Sequence, residues 1–437
     1  METSKSLTPL ISEEEFLPLA EIHCRKLLFV LSVINDENMI VNKHYYFTLM
    51  QEAEKLEGFL DDHGARSNMR WLYFAELVAC VRNFSIAGFY LYHILDRYLD
   101  YLGGDADQMH REFRDAAYNT LDYFAFVLSR FHSALVEEAT AQGIKVGERS
   151  APAGDWGLKV IPKLPYTIVG SEISDVDERM ISIAQDYRRV FKIFRQNGLD
   201  RRIKATKLLE IIPGKISETM FTGFEADLHN IQSEYDTYIK GGRLGADPNA
   251  VALRGLTAIP MHLFDMLRWL VHFFERHEYE TEARKGSVKG RIAELVDDGK
   301  LLATIVGFGL RFSGKYLNEG NKVAERILSS YVKPVSYELA IPRPQGFHAR
   351  PATYISLVVQ EHGTDVFMHV SNEKFDCRSV LEILQAGGLI ADLGLNTVKF
   401  EGDTRALDDL KILAEHNYCE DQEIPQSLSY LRILRNL

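Results

Sequence analysis

The chain has 437 residues, of which 46% are hydrophobic and 26% charged, and a formal net charge of -12. This supplies core material for two to four domains, and the acidic balance argues against a partner bound by neutralising many phosphates, so nucleic acid is not expected. The four cysteines, Cys24, Cys80, Cys377 and Cys419, form no CxxC and no Cys/His cluster. That argues against a zinc site and fits buried thiols in a reducing compartment.

The first residues, "METSKSLTPLISEEEF", are polar and acidic where a signal peptide needs a basic patch and an apolar run. From about Glu13 to Gln142 the pattern predicts helices. "FLPLAEIHCRKLLFVLSVI", "RWLYFAELVACVRNFSIAGFYLYHILDRYLDYL" and "FRDAAYNTLDYFAFVLSRFHSALVEEA" carry apolar residues at three-to-four spacing. Residues 143–175 are rich in Gly and Pro and read as a long crossing loop or a subdomain break. Helical periodicity returns from Val176 and persists to "LLATIVGFGLRFSGKYLNEGNKVAERILSSYV". The most apolar piece of that run, "LLATIVGFGLRF", is too short to span a bilayer and is bounded by Lys300 and Arg311. A cytoplasmic protein with no membrane attachment is therefore expected.

Within the helical part no P-loop, dinucleotide loop or carboxylate–histidine metal pattern occurs. His272 and His277, five residues apart, do not share a helix face. Trp71, Tyr73, Phe74, Phe84, Phe89 and Tyr90, like Trp269, Phe273 and Phe274, read as core. The pairs Arg188-Arg189 and Arg201-Arg202 read as solvated faces, with phosphate or an acidic partner as the alternative.

The texture changes at Lys333. "VSYELAI" alternates like a strand, "TDVFMHV" and "EKFDCR" predict a hairpin turning at Ser371-Asn372, and "NTVKFEG" predicts a further strand. Helices are expected after His348, over "SVLEILQAGGLI" and over "DTRALDDLKILAEH". The order β-α-β-β-α-β-α predicts a small α+β domain, one antiparallel sheet with helices on one face. The fold expected is thus multidomain. A large all-α region covers residues 1–330, the α+β domain 331–420, and a weakly amphipathic tail, 421–437, is expected to dock back on the helical part.

Inside this domain, "PQGFHARPATYISLVV" places His348 between a glycine turn and a helix that tolerates Pro351 in its first turn. A histidine at a helix entry faces unpaired N–H groups and the positive end of the macrodipole, an anion site that also favours the neutral, nucleophilic imidazole. Arg350 can add a charge-assisted bond to a phosphoryl oxygen. Taken alone, these residues fit either a phosphoryl acceptor or a histidine that merely caps a helix. Ser379, thirty-one residues after His348, opens the next helix, and Ser379-Val-Leu-Glu382 reads as a capping box.

From about Pro334 to Cys419, a fifth of the chain, the segment resembles HPr, the histidine-containing phosphocarrier of the sugar phosphotransferase system. "GFHARPA" matches that family's active-site signature, and the predicted element order matches its fold. The resemblance implies that His348 is phosphorylated on Nδ1 and that Arg350 stabilises the phosphohistidine. It implies a phosphoryl-donor protein such as enzyme I, and a regulatory role for Ser379. It implies a partner-binding patch of Phe347, Leu357, Val380, Leu381 and Leu384, several of which also fit a core. The chain departs from the family pattern at Gln360 and Glu382, where basic residues are usual, and in the slightly longer "GGLIADLGLN". No cofactor or metal is implied. The leading reading is a phosphocarrier or regulatory protein signalling through its helical region. The alternatives are a non-catalytic scaffold with a degenerate HPr-like domain and a helical enzyme controlled by that domain.

Overall fold

The computed structural model describes residues 10–36, 40–102, 108–145, 176–199, 212, 216–278, 287–331 and 334–436. The Gly/Pro-rich stretch thus lies almost wholly outside the described residues, as do Arg201-Arg202 and the side chain of His277. The chain divides into two compact units. The first comprises Met1–Thr167, Lys192–Gln232 and Arg254–Leu317, and the second Ile168–Phe191, Ser233–Leu253 and Asn318–Leu437.

The long helices are α1 (Glu13–Ser32), α2 (Lys43–Asp62), α3 (Leu72–Leu102), α4 (Gln108–Gln142), α5 (Val176–Gln196), α6 (Glu218–Glu234) and α7 (Pro248–Phe273). Two short helices follow, α8 (Val288–Ala293) and α9 (Asp298–Leu302), and then α10 (Arg311–Tyr331). Local sequence sets several starts. Ser12 and Glu15 form a reciprocal capping box before α1, and Asn42 accepts the Tyr45 N–H to open α2.

In the first unit the core is built from aromatic rings at helical spacing. Phe84 packs edge-on against Phe124, Phe131 and Phe273, while Phe113 meets Phe308, Phe312 and Tyr316. Gly88 allows α2 to come close, because a Cβ there would strike the Tyr46 ring. Trp71, Tyr73 and Phe74 are buried, whereas Phe89, Tyr90 and Trp269 are half-buried. The stretches Leu72–Tyr101 and Pro248–Arg276 are long and apolar enough to cross a membrane, and 78% of each apolar window is buried inside the structure, as in core helices.

In the second unit, β1 (Val335–Ala340), β2 (Val366–Val370), β3 (Glu373–Asp376) and β4 (Thr397–Gly402) form one antiparallel sheet in the order β1-β4-β2-β3. The helices α11 (Ala349–His362), α12 (Val380–Leu393) and α13 (Thr404–Glu415) alternate with them. The period-two pattern decides which face they cover. Leu339, Val366, Met368, Val370, Phe375, Val398 and Phe400 turn inward onto Ile355, Val359, Ile383, Ile390, Leu407 and Leu410. The residues between them, including Glu338, His369, Lys374, Lys399 and Glu401, are exposed or half-exposed. A large helical region with a small α+β part is what the periodicity predicts. In the tail, Ile424, Leu428 and Leu431 bury in the core of the α+β part, and Tyr430 donates to Asp409 at 2.6 Å.

Of the basic pair in α5, Arg189 is exposed and bonds Asp186, whereas Arg188 is half-buried and donates through Nη2 to the Gln360 carbonyl in the last turn of α11, 3.4 Å away. A cation suits the negative end of a helix. Gly363, in the left-handed conformation after α11, leaves room for that guanidinium, which a Cβ would hit.

Candidate functional site

Three features of the 342–351 segment position the histidine. Gly346 has φ +67 and its N–H bonds the Pro342 carbonyl, after which the His348 N–H folds back to the Gly346 carbonyl at 2.9 Å. His348 then stands as the N-cap of α11 in extended conformation, and its carbonyl accepts the first helical bond from Ala352. Pro351 occupies the third helical position, where no intrahelical donor is lost.

The ring does not cap the helix. Its Nε2 is buried 3.0 Å from Oε2 of Glu420, a charge-pair distance at an angle outside hydrogen-bond geometry. The side chain is 32% exposed, and that exposure belongs to atoms other than Nε2. Arg350 is exposed and donates through Nη1 to the Glu420 backbone carbonyl at 3.1 Å. One residue, absent from the sequence reading, therefore holds both members of the expected pair.

Glu420 reaches this place through an uncommon backbone. Asn417, Tyr418 and Cys419 have φ values of +49, +54 and +57, a left-handed turn made without glycine. Such a conformation costs about 1–2 kcal/mol per residue and persists only where its surroundings over-determine it. Here they do. The Asn417 amide donates to the Arg343 carbonyl and its oxygen accepts the Arg343 N–H, at 2.7 and 2.8 Å. Tyr418 is fully buried, donates to the Ala340 carbonyl, and meets Phe347 edge-on at 5.4 Å. The turn is clamped to the loop that carries His348.

The remaining expected residues are distributed as follows. Phe347 is 4% exposed and packs between Tyr418 and Phe400, so it supports the loop from within and offers a partner little surface. Leu357, Val380 and Leu384 are half-buried against the core, and Leu381 is 66% exposed. The histidine loop lies on the middle of α12, where a Cβ at Gly387 would come within 2.7 Å of the Phe347 carbonyl oxygen. Ser379 is the N-cap of α12, about 12 Å of helix rise from Gly387. Only half of its capping box forms. Ser379 Oγ accepts the Glu382 N–H at 3.2 Å, but the Glu382 carboxylate takes the Asp376 N–H at 2.7 Å. The Ser379 N–H goes to the Asp376 carbonyl instead, because the turn after β3 brings that group closer.

In the helical part His272 Nδ1 lies 2.8 Å from a Glu218 carboxylate oxygen. Among the described residues no cluster of three or more His, Cys, Asp or Glu side chains is arranged to hold a metal ion. Comparison with known proteins returns no matching family model, curated relative or solved structure.

Proposed function

We propose that His348 accepts a phosphoryl group on Nδ1 and that the protein is an HPr-like phosphocarrier or regulator whose modification is signalled through the helical region. The observation that supports this most is the burial of Nε2 against Glu420 while the rest of the ring stays partly open. A carboxylate facing Nε2 favours the tautomer with its proton there, which leaves the Nδ1 lone pair free to attack. As the Nδ1–P bond forms, the N–P bond in a phosphohistidine donor such as enzyme I breaks, and the donor imidazole leaves with its electron pair. The proton on Nε2 stays, and Glu420 offsets the positive charge that the ring acquires. Arg350 then exchanges its carbonyl contact for phosphoryl oxygens, a stronger charge-assisted bond. The first-turn N–H groups of α11 add their dipoles. Leu381, with Val380 and Leu384, supplies the apolar surface for a donor or downstream partner.

A second reading draws on the same carboxylate. A fixed negative charge beside the acceptor opposes an incoming dianion, as expected of a non-catalytic scaffold that keeps the fold without the chemistry. Incubation with phosphoenolpyruvate and enzyme I separates the two. The carrier reading predicts acid-labile, base-stable phosphate on the wild type and none on His348→Ala, with both proteins melting cooperatively. No label on the wild type favours the scaffold.

A further inference from the structure

The first unit holds a second set of chemistry-bearing side chains, on α2, α3 and α7. Lys43 opens α2, and its ammonium donates to Nδ1 of His93 on α3 at 2.6 Å. Lysine only donates, so Nδ1 is the acceptor and the neutral ring carries its proton on Nε2, 3.2 Å from the Tyr101 hydroxyl. The His93 ring meets that of His262, on α7, edge to face at 4.5 Å. Tyr90 stacks on His262 and hydrogen-bonds Asp265, three residues further along α7. Nδ1 of His262 is buried without a hydrogen-bond partner among the described residues; Asp265 Oδ2, at 3.6 Å, is within charge-pair distance but beyond hydrogen-bond distance. A buried polar atom left unpaired is costly and calls for a partner.

The electrostatics lean towards neutral imidazoles, with Glu225 alone among the named groups pulling His262 the other way. Burial holds His93 down at about 3 and His262 at about 4, and the Lys43 and Arg254 charges push both the same way. Arg97 acts likewise on His93, and His229 of α6 on His262. The acids nearby are weakened as counter-charges: burial raises Asp265 to about 7, despite Arg268, and raises Glu225 and Asp96 as well. Two neutral imidazoles therefore sit among cations, of which Lys43 is itself lowered by burial.

We propose that the Lys43–His93–His262 cluster, backed by Arg254, is a binding site for a small oxyanion, a carboxylate or a phosphate. The anion accepts from the Lys43 ammonium and from His262 Nδ1, which takes up a proton from solvent on binding because the new negative charge favours imidazolium. This site is independent of His348 and gives the helical region a ligand of its own.

The test titrates the full-length protein at pH 7 with inorganic phosphate and, separately, with succinate, by calorimetry in two buffers of different ionisation enthalpy. The expected result is saturable one-to-one binding of one probe with net proton uptake, and the probe that binds tells phosphate from carboxylate. Lys43→Met should weaken binding at least about tenfold at an unchanged melting temperature, and His262→Gln should remove the proton uptake. Saturation by neither probe overturns the proposal, as does binding that survives unaltered in His262→Gln.

Discussion

Two helices of the α+β part begin in opposite ways. At α12, Ser379 uses its hydroxyl to accept the Glu382 N–H, and Glu382 in turn satisfies Asp376. These contacts are all local, and helix stability alone accounts for the serine. At α11, His348 caps nothing, and its ring is turned to a carboxylate brought in by a left-handed turn at the far end of the domain. Stability does not account for that arrangement, since a serine or aspartate at position 348 would serve the helix better. The contrast separates a residue that holds the fold from one that the fold holds.

Substitutions can break or sharpen the contrast. The largest effect is expected for Glu420→Gln, which keeps the shape and loses the charge proposed to set the His348 tautomer. Phosphorylation should slow by on the order of a hundredfold, since an orienting carboxylate beside a reactive histidine can matter that much or more. A rate within twofold of wild type would make Glu420 a bystander. Arg350→Ala comes next. One charge-assisted contact of roughly 1.5–3 kcal/mol corresponds to a rate or phosphohistidine lifetime reduced at least about tenfold, read by the decay of labelled protein. The smallest effect belongs to Ser379→Ala. It should cost about 1 kcal/mol in denaturant unfolding and leave His348 labelling unchanged. Slower labelling would couple the two helix entries and erase the distinction between them.

Much of the α+β part is legible in the sequence because its signals are local. Alternation marks the strands, Ser371-Asn372 marks the hairpin turn, and Gly346 with Pro351 marks the helix entry that carries His348. The position of Glu420 is not legible that way. It depends on three left-handed residues, of which only Asn417 is a type that tolerates the conformation, and on a clamp to Arg343 and Ala340. Phe347 turns inward because the Gly346 turn and the small residue at Gly387 let its loop sink onto α12. The tail reads as an amphipathic strip whatever surface receives it, so pattern alone does not assign it to the α+β core. His93 and His262 lie on helix faces whose apolar spacing looks like core, and their meeting is a matter of tertiary packing.

The claim that Glu420 holds Nε2 and leaves Nδ1 to react is tested most directly by nitrogen-15 NMR of the phosphorylated, histidine-labelled protein. Coupling of phosphorus to Nδ1 of His348, with the proton retained on Nε2, is the predicted result. Phosphorus on Nε2, or on a different histidine, would contradict the account.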